Sequence, residues 1–289
     1  MAVYTAEQKL SVINGSPAAV AAHNKRAWLA LFAEYNVVED PVGSCPHVSG
    51  IFDHRSGRRG NNALSRFYDS FIAPNIITFD VQHDIVNGNT VVRDLNIEIA
   101  MSKRVVVTVP MHLRYRLSEE QGALKISHLA AYWELLPMVK QAFGFGVDSL
   151  LTLSNMGLRL LRNMGLSGLW GFVGGLRGVG HNGKVLVQEM FSALNNHDAN
   201  HLQLLIDRDV GRPCLAGPDG VAISSSHFVL QHPGTFSVGK VISSGYSCSA
   251  SFNYQDGDRS VAGVMIADCA RGSGKITAAH FFVQADQAV

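Results

Sequence analysis

Four stretches of alternating apolar and polar residues, Ile76 to Val86, Thr90 to Met101, Val105 to Leu117 and Lys125 to Leu135, follow one another across short turns. Asn87-Gly88-Asn89 and the run from Glu119 to Gly122 supply two of those turns. A period of two with tight connections commits this part of the chain to antiparallel strands, because parallel neighbours need long crossovers. Helical patterns precede them. Ser16-Pro17 reads as an N-cap and first helical residue, followed by an apolar stripe through Trp28, Leu29, Leu31 and Phe32. Leu64, Phe67, Tyr68 and Phe71 recur at helical spacing from about Asn62, and Pro74 ends that pattern. The expected class is α+β, with helices packed on an antiparallel sheet.

The same order returns later in weakened form. Val185 to Leu194 and His201 to Ile206 read as helices. Phe236 to Ser243, Ser247 to Tyr254, Val261 to Ala270 and Lys275 to Gln284 read as strands. Val241-Ile242-Ser243-Ser244-Gly245 echoes Asp84-Ile85-Val86-Asn87-Gly88, and Gly274 to Phe281 echoes Leu124 to Ala131. The chain therefore divides into a first domain at 10–136, a connector at 137–183 and a second, degenerate copy at 184–286. The connector is rich in Gly and Leu, and only Lys140, Asp148, Arg159, Arg162 and Arg177 carry charge. Its leucines, Leu150, Leu151, Leu153, Leu158, Leu160 and Leu161, suggest a helix with a broad buried face. It is expected to pack across the domains or over a pocket mouth; a peripheral membrane contact or a dimer face is the lesser expectation.

Composition excludes several function classes. Hydrophobic residues make up 47% and charged residues 16%, with a formal net charge of +1, so nothing resembles the basic footprint of a nucleic-acid binder. Cys45, Cys214, Cys248 and Cys269 have no metal-ligand spacing and read as free thiols. No metal and no cofactor is expected. The opening residues lack a signal-peptide pattern, which makes a cytoplasmic protein the expectation. Gly174-Gly175 with Gly178 and Gly180 lacks the context of a phosphate loop. Ser224-Ser225-Ser226-His227 reads as a loop or strand edge rather than a nucleophile.

The chemistry concentrates in Val38-Glu39-Asp40-Pro41-Val42-Gly43-Ser44, an acidic pair running into a Pro-Gly turn after a helical pattern. In such apolar surroundings a carboxylate is either a solvated turn residue or a base at the mouth of a greasy pocket. In the second copy the corresponding stretch is Cys214-Leu215-Ala216-Gly217-Pro218-Asp219-Gly220, without an acidic pair, so that copy reads as structural.

Three pieces of the first domain resemble the ketosteroid isomerase branch of the NTF2-like, SnoaL-like superfamily: the Val38-to-Gly43 motif, the Phe67-Tyr68 pair, and Ala130-Ala131-Tyr132-Trp133. The resemblance spans roughly residues 15–136. It implies tandem cone-shaped domains, the first with a deep apolar pocket and Asp40 as general base moving a proton on a hydrophobic carbonyl compound of steroid, polyketide or terpenoid type. An Asp in an apolar cleft loses hydration and becomes a stronger base. The family's two oxyanion donors fall on Ser16 and near Met111, neither of which matches, and Tyr68 is the substitute donor the resemblance offers. The expected substrate-binding residues are Trp28, Phe32, Phe67, Val109, Met111, Leu113, Leu129, Ala131 and Trp133. Asp94 and Glu98 share a strand face that reads as solvent-exposed or as a second carboxylate facing Asp40. A non-catalytic carrier of an apolar molecule is the alternative, and pairing between the two domains or in a homodimer is the expected assembly.

Overall fold

The computed structural model describes residues 4–53, 58–60, 62–146, 177–207, 214–216 and 222–284, together with Ser154, Gly157, Leu158, Arg162 and Gly174. Most of the connector, including the expected helix through Leu150, Leu151, Leu153, Leu160 and Leu161, lies outside the described residues. By contact density the chain forms two compact units, one of residues 1–84 and 89–176, the other of residues 85–88 and 177–289.

The first unit opens with α1 (Ala6–Ala21) and α2 (Lys25–Ala30). Helix α1 begins well before the Ser16-Pro17 start expected from sequence. Thr5 and Gln8 form a capping box, Gln8 N–H donating to Thr5 Oγ1 at 3.2 Å and Thr5 N–H to Gln8 Oε1 at 2.8 Å. Pro17 lies inside the helix. Asn24 caps α2 by accepting from Ala27 N–H at 3.0 Å. Strand β1 (Phe32–Glu39) then runs directly into the Asp40-Pro41 turn, so the acidic motif follows a strand, not a helix. Next come β2 (His47–Ser49), the small hairpin of β3 (Ile51–Asp53) and β4 (Arg58–Gly60), and α3 (Asn62–Phe67), which relaxes into a π turn over Tyr68–Ile72.

Four long strands complete the sheet: β5 (Ile76–Asn87), β6 (Thr90–Ala100), β7 (Val106–Glu120) and β8 (Ala123–Tyr132). Helix α4 (Leu135–Phe143) follows. The sheet order is β2-β1-β8-β7-β6-β5. All its described pairings are antiparallel except β1 with β8, where Val38 stands beside Leu129 and Glu39 beside Ala130. Register shifts between Phe32 and Val37 in β1, and between Arg116 and Leu117 in β7, bend the strands, curving the sheet around the helices. Buried Arg93 of β6 ties this curve to α1, donating to Asp84 Oδ1 at 2.7 Å, Asp84 Oδ2 at 2.8 Å and Asn14 Oδ1 at 2.5 Å.

The second unit repeats the sequence of elements: α5 (Gly180–Asn195), α6 (Ala199–Leu205), β9 (Cys214–Ala216), β10 (Ala222–Ile223), α7 (Ser225–Gln231), β11 (Thr235–Ser244), β12 (Ser247–Asp256), β13 (Arg259–Cys269) and β14 (Ile276–Val283). Its sheet order, β10-β9-β14-β13-β12-β11, is that of the first sheet, again with one parallel pair, β9 with β14. Ser224 caps α7 by accepting from His227 N–H, so this serine run starts a helix rather than a loop or strand edge. The architecture is α+β, with the same sheet order built twice.

Candidate active site in the first unit

Every second residue of β7, Val109, Met111, Leu113 and Tyr115, faces an apolar cleft between sheet and helices, with about 930 Å³ of empty volume counting the solvent at its mouth. Ile97 and Ile99 of β6, Ile77 and Phe79 of β5, and Leu129 of β8 extend that wall. Ser16 and Val20 of α1, Trp28 of α2, Phe67 of α3 and Met138 of α4 cover it. Trp28 is fixed by donating its Nε1–H to Ser16 Oγ at 3.0 Å and by packing its ring against those of Phe32, Phe67 and Tyr68.

Asp40 reaches this cleft because the turn after β1 is pinned from both sides. Val42 N–H donates to Ala131 O at 2.8 Å, while the Ser44 N–H and hydroxyl donate to Pro41 O at 3.0 and 2.6 Å. The Asp40-Pro41 peptide is cis. Strand alternation then separates the acidic pair. Glu39 pairs with His128 at 3.0 Å, and that hydrogen bond holds its carboxyl below the usual range. Asp40 lines the cleft instead, and Trp133 Nε1–H donates to its Oδ1 at 2.5 Å. Desolvation raises the Asp40 pKa to about 6 against the opposing pull of the Trp133 bond. Its remaining solvent access is partial.

Of the residues expected at the site, Asp40, Trp28, Phe67, Val109, Met111, Leu113, Leu129 and Trp133 converge on the cleft. Phe32 and Ala131 are buried beside it without lining it. Tyr68 packs behind Trp28, and its buried hydroxyl has no hydrogen-bond partner among the described residues. Asp94 and Glu98 alternate with the cleft-facing Ile97 and Ile99, and so belong to the opposite face of β6. Asp94 stands across from His112, with 3.5 Å between its Oδ1 and the imidazole Nε2, and Glu98 is exposed. No second carboxylate among the described residues lines the cleft.

The polar group that sequence reasoning missed is Tyr115. Its side chain is buried and lines the cleft, and burial pushes its phenol up to about 12, with Arg93 pulling the other way and Asp40 adding to the rise. The signal was available: Tyr115 sits four residues beyond Met111 and therefore on the same strand face. Among the described residues no three His, Cys, Asp or Glu side chains gather as a metal site.

A family model described as the SnoaL-like domain matches residues 15–125. The matched residues form a SnoaL-like domain within the first unit. Comparison with curated proteins finds no match. Among solved structures, one similar to this chain is a Δ5-3-ketosteroid isomerase from Mycobacterium sp., at 27% identity over 44% of this chain and 94% of that one, with a TM-score of 0.36. Another is a Mycobacterium tuberculosis protein in complex with estradiol-17β-hemisuccinate, at 26% identity over 45% and 96%, TM-score 0.37. A third is an LEH-like epoxide hydrolase from M. tuberculosis, at 14% identity over 51% and 96%, TM-score 0.35. Asp40, Tyr68 and Tyr115 all fall within the matched residues.

Proposed function

We propose that the SnoaL-like domain binds a hydrophobic carbonyl compound and moves a proton on it, with Asp40 as the base. One observation carries this reading: a carboxylate raised to about 6 on the wall of a predominantly apolar cleft. Above that pH the group is ionised, yet more basic than an ordinary Asp. It takes a proton from a carbon beside the carbonyl and the freed electron pair moves onto the carbonyl oxygen. The carboxyl exchanges its proton with solvent and then delivers one to the same or a different carbon, as the electron pair returns from the oxygen. The Trp133 N–H holds Oδ1, which leaves Oδ2 to face the substrate. Tyr115 offers an O–H toward the oxygen on which charge collects.

A second reading is a non-catalytic carrier for a steroid-, polyketide- or terpenoid-like molecule. It is favoured by Ser16 and Met111 standing on the cleft wall at the two positions where the resemblance expects strong donors. Loss of one such donor costs about 10²–10³ in rate.

The test is hydrogen exchange in D2O with unsaturated ketones of those three classes, read by NMR, for the wild type and Asp40→Asn. The base reading expects deuterium at the carbons next to the carbonyl, and a loss of about 10² or more in rate with Asn. Saturable binding with no exchange in either protein supports the carrier and removes Asp40 from any reaction.

A further inference from the structure

Besides its two tryptophans, four polar side chains stand on the cleft wall: Ser16, Asp40, Asn75 and Tyr115. Asp40 and Tyr115 serve the proposed reaction, and Ser16 holds Trp28. Asn75 has no part in either. It lies just past the π turn, immediately ahead of β5, with its backbone N–H donating to Ile72 O at 3.1 Å and its Nδ2 to Phe71 O at 2.7 Å. A backbone carbonyl only accepts, so the amide nitrogen has to face Phe71 and the side chain is held in one orientation. That bond uses one of the two N–H groups. Oδ1 and the second N–H make no other hydrogen bond among the described residues, on a half-buried side chain that lines an apolar cleft. Closing the helix end accounts for the bond to Phe71, but not for the rest of the amide.

The strand register sets Asn75 far from Tyr115. Strands β5 and β6 are neighbours, and the contacts of Arg93 with Asp84 and of Asn96 with Asp80 show that they run antiparallel. The start of β5, with Asn75 ahead of it, therefore stands beside the end of β6, where Ile99 and Met101 line the cleft. Tyr115 pairs with Val91, near the other end of β6. From Val91 to Ile99 the strand covers eight steps, roughly 26 Å at about 3.3 Å each, an upper bound because the sheet curves. On β6 and β7 the wall between these ends is apolar, formed by Leu113, Met111, Val109 and Ile97. No Lys, Arg or His side chain lines the cleft among the described residues. An ionised group on a ligand would lose water here without gaining a counter-charge, so the far end of the ligand is neutral.

We infer that Asn75 is a specificity-determining residue, hydrogen-bonding a neutral oxygen at the end of the ligand remote from the reacting ketone. The inference rests on the reading of the cleft as a site for a hydrophobic carbonyl compound and narrows that class. The ligand is an elongated skeleton with oxygen at both ends, rather than one that finishes in bare hydrocarbon. A hydroxyl at the far end donates to Oδ1, and a second carbonyl accepts from the remaining N–H of Nδ2. A hydrocarbon end would strip water from the amide and leave both groups unpaired, which is how a polar group on an apolar wall discriminates between ligands of the same shape.

The test is calorimetric binding of three steroid ketones to the full chain. Testosterone carries a hydroxyl at the end of its rings remote from the ketone, androst-4-ene-3,17-dione a second carbonyl there, and androst-4-en-3-one neither. Wild type is expected to bind the first two about fivefold to tenfold more tightly than the third, although the third is the most apolar. Asn75→Leu should abolish that preference. Asn75→Asp keeps an acceptor but no N–H, so it should still favour testosterone and lose its preference for the dione. Both variants give up the bond to Phe71, so circular dichroism verifies folding, and comparing ligands within one variant cancels any loss common to all three. Asp40→Asn should keep the wild-type order, which separates this test from that of the base. Equal binding of the three ligands by wild type, or a preference that survives Asn75→Leu, would overturn the inference alone. Binding of none of them would overturn it together with the reading of the cleft.

Discussion

The ionisation of Asp40 can be measured without knowing a substrate, through its effect on folding. In the unfolded chain this carboxyl titrates near its ordinary value of 3.8, whereas in the folded protein desolvation raises it to about 6. Between those pH values the unfolded state has released its proton while the native state still holds it. Stability therefore falls as pH rises through this window and levels off above about 6. The separation corresponds to about 3 kcal/mol at roughly 1.4 kcal/mol per pH unit, an upper bound because the side chain keeps some access to water through the cleft. Asp40→Asn has no such loss, and its amide oxygen still accepts from Trp133. The assay is urea unfolding of both proteins at closely spaced pH values from 4 to 7.5. It is followed by tryptophan emission, since Trp28 and Trp133 both line the cleft. His47, which burial lowers to about 4, contributes equally to both proteins and cancels in the difference. Asn should gain on Asp by up to about 3 kcal/mol as pH rises across the window. A difference that stays flat, or that favours Asp at higher pH, would show that the carboxylate is well hydrated and would refute the reasoning behind a strengthened base.

Tyr68→Phe should leave any Asp40-dependent exchange unchanged and raise stability by about 1 kcal/mol, because the hydroxyl it removes is buried without a partner among the described residues. A large loss of exchange would instead return Tyr68 to the reacting centre. Tyr115→Phe should weaken binding of a ketone relative to its deoxy analogue by about fivefold to tenfold, one hydrogen bond's worth, as measured by calorimetry. Arg93→Met should destabilise the first unit by about 3–5 kcal/mol in urea unfolding, since it strands the carboxylate of Asp84 and the Asn14 amide oxygen beneath α1.

The long strands were legible because their period of two is unbroken over many residues and their turns use Asn and Gly. The elements that failed to read were those that break a period. Strand β1 carries a register shift between Phe32 and Val37 and has the burial order buried-buried-exposed-exposed, which imitates a helical stripe continuing from Trp28. In helix α1, Ser16-Pro17 mimics a cap although it lies inside the helix. Ser16 is in fact a mid-helix residue whose hydroxyl accepts from Trp28, and the working cap, Thr5 with Gln8, lies eleven residues earlier. At the site, the fate of each polar group depends on which strand face it occupies. One residue's difference in register puts His112 behind the sheet and Tyr115 in front of it, and no composition argument distinguishes them.

That dependence on register also explains why the recess on the second sheet is smaller than the cleft on the first. Cys214 pairs with Ala278 as Val37 pairs with His128, so β9 and β14 repeat the register of β1 and β8. By the same registers Ala267 takes the place of Tyr115, Val283 that of Trp133 and Ala250 that of Arg93. The polar groups are gone, and so is the space. Phe281 stands where Ala131 does, Phe252 where Leu95 does and Tyr254 where Ile97 does, and their rings pack together with Phe191, Phe228 and Phe236. Gly263, the counterpart of Met111, has room for nothing more, since a Cβ there would lie 2.3 Å from the Phe252 ring. What remains is a recess of about 300 Å³ against about 930 Å³ in the first unit. Burying those rings fills the concave side of the second sheet with its own side chains, each ring contributing roughly 1.5–3 kcal/mol.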